Sequence, residues 1–348
     1  MAPVSFLIPG DLSLPTGGYA YDRRVLALLS AYGVLAHHVA LSASFPSPTA
    51  TDLATTAGTV AGLPTDAILL VDGLALGAMP GDLVRGFRRR LIALCHHPLC
   101  LEAGLTPARQ AELKASETAA LALADAVIVT SPATRSLLVR DFGVAAARIT
   151  VAVPGTDPAP RAIGTGNPLQ FLAVGSIVPR KGYDVLVSAL DMLGQDGWRL
   201  KIAGADDRSP ATVAMLRGQI KASEHAGRID LVGAVDQSQL SHLYSQADVF
   251  VMPSLFEGYG MVLAEAMARG LPIVCTTGGA AAETVPDDAA LKVAPGDARA
   301  LSAALARVSQ DATLRSAMAR ASWLAGQNLT RWEETARIIA GVVRKVSA

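Results

Sequence analysis

Residues whose types and spacing could do chemistry gather at a few places in the chain. The densest is Phe256-Glu257-Gly258-Tyr259-Gly260-Met261-Val262-Leu263-Ala264-Glu265-Ala266-Met267-Ala268. Gly258 and Gly260 mark a loop, and Met261–Ala268 has helix-forming composition, so Glu257 precedes a helix and Glu265 lies inside it. A helix start offers unpaired backbone N–H groups and a partial positive charge, which suit a phosphate. A carboxylate inside that helix can accept from two adjacent hydroxyls, as an acidic side chain reads a ribose. A second place is Val174-Gly175-Ser176-Ile177-Val178-Pro179-Arg180-Lys181-Gly182. Arg180 offers a bidentate grip on a phosphate and Lys181 a point charge. A third is Leu91–Leu99, an apolar run ending in His96 and His97. Strand alternation turns only one of the two histidines toward a given face. Glu102 follows closely and reads either as a binding-site residue or as a surface residue. Gly17 and Gly18 precede a helical stretch near Tyr21, where glycine lets a backbone approach a ligand.

These residues need a scaffold that brings loops together. Short apolar runs at Val4–Ile8, Ala67–Val71, Leu91–Cys95, Ala126–Thr130 and Ile149–Val153 predict strands of a first half. Leu169–Val174, Arg199–Ala203, Ile229–Val232, Val249–Met252 and Pro272–Cys275 predict those of a second. Apolar runs without strict alternation suit parallel strands buried on both faces. Helical segments such as Tyr21–Ser30, Thr106–Leu123, Gly182–Met192, Ser238–Ser245 and Met261–Arg269 lie between them. The expected fold is therefore α/β, with two Rossmann-like doubly wound domains facing across a cleft. The Pro- and Gly-rich stretch 154–168 reads as the linker, which gives domains at 1–163 and 164–329. Residues 330–348 are expected to form a helix crossing back to the first domain.

Composition excludes several classes. Thirty basic residues balance thirty acidic ones and 51% of residues are hydrophobic, unlike a disordered chain or a dedicated nucleic-acid binder. Three cysteines without a Cys-x-x-Cys pair suggest neither a disulfide framework nor zinc. The first residues lack the basic region of a signal peptide, and no apolar run nears the roughly 20 residues of a membrane span. A cytoplasmic protein is expected. The cluster Arg85, Phe87, Arg88, Arg89, Arg90 reads either as a solvated helix end or as a peripheral contact with an anionic inner membrane face.

Taken in order, Gly-Ser-x-x-Pro-Arg-Lys-Gly at 175–182, Ile202-Ala203-Gly204, Ala247–Ser254, the Glu-x7-Glu segment and Gly270-x-Pro272-Ile273-Val274 resemble the retaining glycosyltransferases of family 4 (group 1), of the GT-B fold. The resemblance implies transfer of a hexosyl unit from a nucleotide diphosphate sugar to a hydroxyl acceptor, in polysaccharide, lipid or small-molecule glycosylation. It implies no metal and no cofactor beyond the donor, and no nucleic acid. It places Arg180 and Lys181 on the donor diphosphate, together with Gly17, Gly18 and the backbone of Gly260, Met261 and Val262. It places Glu265 on the ribose, and Glu257 and one of His96 and His97 at the donor sugar, His96 being favoured because it directly follows the strand. The base pocket falls at Gly233, Ala234 and Val235. Gly278-Gly279 with Glu283 is similar to the family's Gly-Gly…Glu segment and reads equally as a turn with a helix cap. Val153-Pro154-Gly155-Thr156-Asp157 departs from the family's Asn-Gly-Val-Asp pattern. A non-catalytic nucleotide-sugar-binding protein on the same fold is the alternative.

Overall fold

A computed structural model describes residues 2–194 and 197–348. The chain divides into two compact units, one made of residues up to Gly155 with Thr330–Ala348, the other of Thr156–Leu329. Each unit is built on a sheet of six parallel strands.

In the first unit the strands are β1 (Val4–Pro9), β2 (Ala36–Leu41), β3 (Ile68–Asp72), β4 (Arg90–Cys95), β5 (Ala126–Val129) and β6 (Ile149–Val151), in the order β2-β1-β3-β4-β5-β6. Every residue of β1, β3 and β5 is buried. Helices cover both faces of such a sheet, so its strands need no polar side. β2 carries no continuous apolar run that would predict it. Its residues Ala36-His37-His38-Val39-Ala40-Leu41 are mostly half-exposed, because an edge strand has one neighbour and can keep polar side chains.

The helix Trp332–Ser347 closes this unit. Trp332 is buried and meets the ring of Tyr21 edge-on at 5.8 Å between centroids. Thr335 Oγ1 donates to the Val153 carbonyl and Tyr21 Oη to the Ala152 carbonyl, both at 2.8 Å. Gly155 lies flush on this helix: a Cβ there would sit 2.3 Å from the Trp332 nitrogen. The non-family residues at 153–155 therefore serve as a seat for the last helix.

In the second unit β7 (Leu169–Val174), β8 (Trp198–Ala203), β9 (Ile229–Gly233), β10 (Val249–Met252), β11 (Ile273–Thr276) and β12 (Ala290–Val293) run in the order β12-β11-β10-β7-β8-β9. Phe171 and Trp198 anchor the apolar layer on one face, Tyr244 and Phe250 that on the other. β12, absent from the sequence reading, is again a half-buried edge strand. The passage between units falls at Gly155–Thr156, earlier than the expected 163/164 boundary. The reason is that linker residues already bond to second-unit elements. Ala162 N donates to the Arg269 carbonyl and Ile163 N to that of Ser245, and Asp248 caps the Thr165 and Gly166 amides.

Among the described residues, no helix is long and apolar enough to cross a membrane. The arginine cluster corrects one expectation. Phe87 caps the short helix Gly81–Gly86 and is only 6% exposed in the first unit's core, so it offers no aromatic wedge to a bilayer. Arg89 is held by the Leu63 and Pro64 carbonyls, Arg85 pairs with Asp82, and Arg90 donates to the Ser347 carbonyl.

Candidate active site

In the second unit, neighbouring strands β7 and β10 end side by side, and the loops that leave them carry the expected residues. After β7 the chain makes a single turn, Pro179–Lys181, and Gly182 leads into the helix Tyr183–Asp191 with φ +62°. A Cβ on Gly182 would stand 2.4 Å from the Pro253 carbonyl oxygen, so glycine is required where the two loops touch. After β10 the chain runs through 253–260 into the helix Met261–Ala268, whose N-cap Gly260 is left-handed at φ +87°.

Glu257 is the centre of this cluster. Lys181 Nζ donates to Glu257 Oε1 at 2.7 Å, and Arg180 Nη1 lies 3.3 Å from the same oxygen. Arg180 also donates to the Phe256 carbonyl at 2.7 Å. Burial would push the Glu257 carboxyl up, but the two cations outweigh it and hold the group at about 2. Glu257 is thus a buried, ionised carboxylate whose charge is already shared by Lys181 and Arg180. The Gly278-Gly279 segment proves to be the loop's backbone support. Glu257 N donates to the Gly278 carbonyl, Ala280 N to the Glu257 carbonyl, and a Cβ on Gly279 would meet Glu257 O at 2.3 Å. Glu283, exposed on the following turn, stands apart from these contacts.

Glu265 lies a turn inside the helix and is half-buried. Tyr244 Oη donates to its Oε2 at 2.9 Å. Arg269 Nη1 donates to the Glu265 carbonyl at 3.0 Å, with its guanidinium 4.4 Å from the centre of the Tyr244 ring. Burial, which outweighs the pull of Tyr244 and Arg269, raises the carboxyl. Burial and the nearby Glu265 also push the Tyr244 phenol well up, so it stays a proton donor. Tyr244 and Arg269 were not singled out in the sequence. Their only local signal is a tyrosine on the buried side of the helix Gln237–Gln246 and an arginine ending the helix that carries Glu265. At the end of β9, Gly233 is left-handed at φ +78° and its carbonyl accepts from Gly204 N; Ala234 is exposed and Val235 half-buried.

In the first unit three adjacent strands, β1, β3 and β4, end together. The helix after β1 begins at Gly17, capped by Thr16 Oγ1, not near Tyr21. Gly17 and Gly18 therefore sit in its first turn, among the N–H groups a helix leaves without an internal partner. Asp72 ends β3 and caps the turn after it, accepting from Leu74 N at 2.6 Å. His96 directly follows β4. Its Nε2 lies 3.2 Å from Asp22 Oδ1 and 3.7 Å from Asp72 Oδ2, and a Cβ on Gly18 would touch its ring at 3.4 Å. His97 turns elsewhere, its Nε2 3.0 Å from Glu102 Oε2. The ligand atoms of Asp22, Asp72 and His96 fall within 4.8 Å of one another, near enough for a metal ion by spacing alone. Nε2 stands at hydrogen-bond distance from Asp22 Oδ1 and near Asp72 Oδ2, so the three groups are arranged as a hydrogen-bonded ion-pair network.

Two sheets of parallel strands wound with helices, each ending in a cluster of charged and glycine residues, define a GT-B fold. Solved structures share it. A sucrose-phosphate synthase from Thermosynechococcus elongatus superposes with a TM-score of 0.82 at 23% identity, covering 99% of both chains. The Anabaena protein HepE, solved in complex with UDP and glucose, does so with a TM-score of 0.74 at 18% identity, covering 99% of this chain and 100% of that one. Residues 159–322 match the family described as glycosyl transferases group 1, and residues 66–160 match glycosyltransferase family 4. The chain belongs to the group 1 glycosyltransferases.

Among curated proteins, the chain is 30% identical over 244 residues to a GDP-mannose-dependent phosphatidylinositol monomannoside mannosyltransferase of Mycobacterium tuberculosis, covering 63% of this chain and 62% of that one. It is 29% identical over 227 residues to the O-antigen chain mannosyltransferase B of Escherichia coli, covering 60% and 57%. The chain thus spans less than two thirds of the length of these relatives.

Proposed function

We propose that this chain is a retaining glycosyltransferase that moves a hexosyl unit from a nucleotide diphosphate sugar to a hydroxyl acceptor without a metal ion. The observation that carries this reading is the Arg180–Lys181–Glu257 cluster beside the start of the helix that holds Glu265. Breaking the glycosidic bond leaves a nucleoside diphosphate, whose growing charge needs fixed cations and N–H donors. Arg180, Lys181 and the amides of Gly260, Met261 and Val262 have that chemistry. Glu265, with Oε2 held by Tyr244, keeps Oε1 for a ribose hydroxyl. Gly233, Ala234 and Val235 take the base, and Gly17, Gly18 and His96 serve the donor's phosphate and sugar.

Glu257 is a poor nucleophile, because both cations already share its charge. This favours same-face attack, in which the acceptor oxygen bonds to the anomeric carbon as the bond to the β-phosphate breaks and that phosphate takes the acceptor's proton. The mannosyl relatives and the UDP-bound neighbour make GDP-mannose and UDP-glucose the first donors to try.

A mass-spectrometric screen against UDP-, GDP- and ADP-sugars tests the reading. Turnover of one donor, with the anomeric configuration retained by NMR, supports it. Binding without turnover would leave a nucleotide-sugar-binding protein. Arg180→Ala and Glu265→Ala are each expected to weaken donor binding at least tenfold by calorimetry, and unchanged affinity in either would refute that residue's assignment.

A further inference from the structure

Beneath His96 lies an arrangement that the activity alone does not require. Asp22 is fully buried and Asp72 is 2% exposed, yet neither faces a lysine or arginine among the described residues. The arginines next to Asp22 are spent elsewhere: Arg23 on the Leu12 and Leu14 carbonyls, Arg24 over the ring of Trp332. The group facing both carboxyls is His96, whose Nε2 lies 3.2 Å from Asp22 Oδ1 and 3.7 Å from Asp72 Oδ2, a place that suits an N–H donor. We propose that Asp22 and Asp72 hold His96 as an imidazolium through the neutral range, so that it meets the donor sugar as a cation and N–H donor and never as a base. The proposal rests on the reading of His96 as a donor-sugar contact.

The remaining groups agree with this assignment. Two buried carboxyls this close cannot both ionise. Burial, reinforced by the nearby Asp72, pushes Asp22 well up. Burial acts on Asp72 too, but His96, the hydrogen bond with Asp22 and the Leu74 amide together hold it down. The trio then contains one neutral carboxyl, one carboxylate and one imidazolium, and is electrically balanced. Burial alone would lower His96, but the two carboxyls raise it to about 10. From the other elements the ring meets the uncharged edge of Tyr21, 5.2 Å between centroids, and the Gly18 backbone. Thr130 Oγ1 donates to the His96 carbonyl, and the neighbouring Cys95 thiol is pushed well up by burial, so neither adds charge.

The test is NMR of the full chain labelled with 15N-histidine, with His96 assigned by its loss in His96→Gln. The expected result is two protonated ring nitrogens from pH 6 to 8.5. Asp72→Asn, which keeps the cap to Leu74 N, is expected to bring the titration down by more than one pH unit. A neutral ring at pH 7.5 in the unmodified chain overturns the proposal. The functional readout is kcat against pH for the best donor found in the screen. For Asp72→Asn, kcat should fall about tenfold per pH unit above the new midpoint and recover at pH 6, while the unmodified chain stays flat. A loss equal at pH 6 and pH 8.5 overturns the proposal, because a structural defect is not repaired by acid. If the unmodified chain turns over no donor, the function proposed above fails, and the nitrogen titration still decides the charge of His96.

Discussion

At the residue scale, the cluster around Glu257 is held by opposed buried charges. The Glu257 carboxyl sits at about 2, below its value in an unfolded chain. Its contribution to stability is therefore complete above the ordinary carboxylate range and is lost as the pH falls through about 2. Glu257→Gln leaves Lys181 and Arg180, both largely buried, without their counter-charge. Denaturant unfolding at pH 7 is expected to show a loss of about 3–5 kcal/mol, shrinking as the pH approaches 2. A loss that does not change with pH would mean that packing, not charge, ties Glu257 down. The residues around Glu257 were legible because their types are unusual together: paired cations, spaced glutamates and glycines in short loops. Asp22 and Asp72 were not, because an aspartate in a helix or at a strand end has no special spacing. Only the meeting of three strand ends reveals what they face.

At the element scale, loops are shaped by glycines and by groups beneath them. Gly279, at φ +65° with no room for a Cβ against Glu257 O, sets the path of the 253–260 loop. Gly279→Ala is expected to cost donor affinity at least tenfold by calorimetry, while the far-UV circular dichroism stays unchanged. A second support lies under the turn after His97. Glu117, on the helix Pro107–Leu123, is buried and accepts from Leu99 N at 3.1 Å, and burial lifts its carboxyl to about 8. Here the folded value lies above the unfolded one, so stability is full below the ordinary carboxylate range and is lost as the pH rises through about 8. Glu117→Gln keeps an oxygen for Leu99 N and has no charge to bury. It is expected to match the unmodified chain at pH 4 and to exceed it by several kcal/mol at pH 9 in denaturant unfolding. Equal stabilities at pH 9 would show that water reaches Glu117.

At the scale of the whole molecule, the chain leaves the first unit at Gly155 and returns to it at Thr330. The first unit therefore depends on a helix at the far end of the sequence. Ala336, Ile339, Ala340 and Val343 on that helix are all fully buried, and Trp332 is 5% exposed between Tyr21 and Gly155. Trp332→Ala is expected to cost about 3–5 kcal/mol by thermal or denaturant unfolding. Hydrogen exchange should locate the loss in the first unit, and a loss spread evenly over both would contradict the division.

Sequence alone determined the fold class, most central strands and the two loops whose Arg180, Lys181 and Glu257 meet. Strands buried on both faces must be continuously apolar, and paired cations, spaced glutamates and glycines stand out by type in short loops. It did not determine β2 and β12, since an edge strand with one neighbour is free of that apolar demand. Nor did it show that Phe87 turns into the core, that Gly17 already begins a helix, or that His96 and His97 part to different carboxyls. Those outcomes depend on which strand ends stand side by side, and only the tertiary structure decided that.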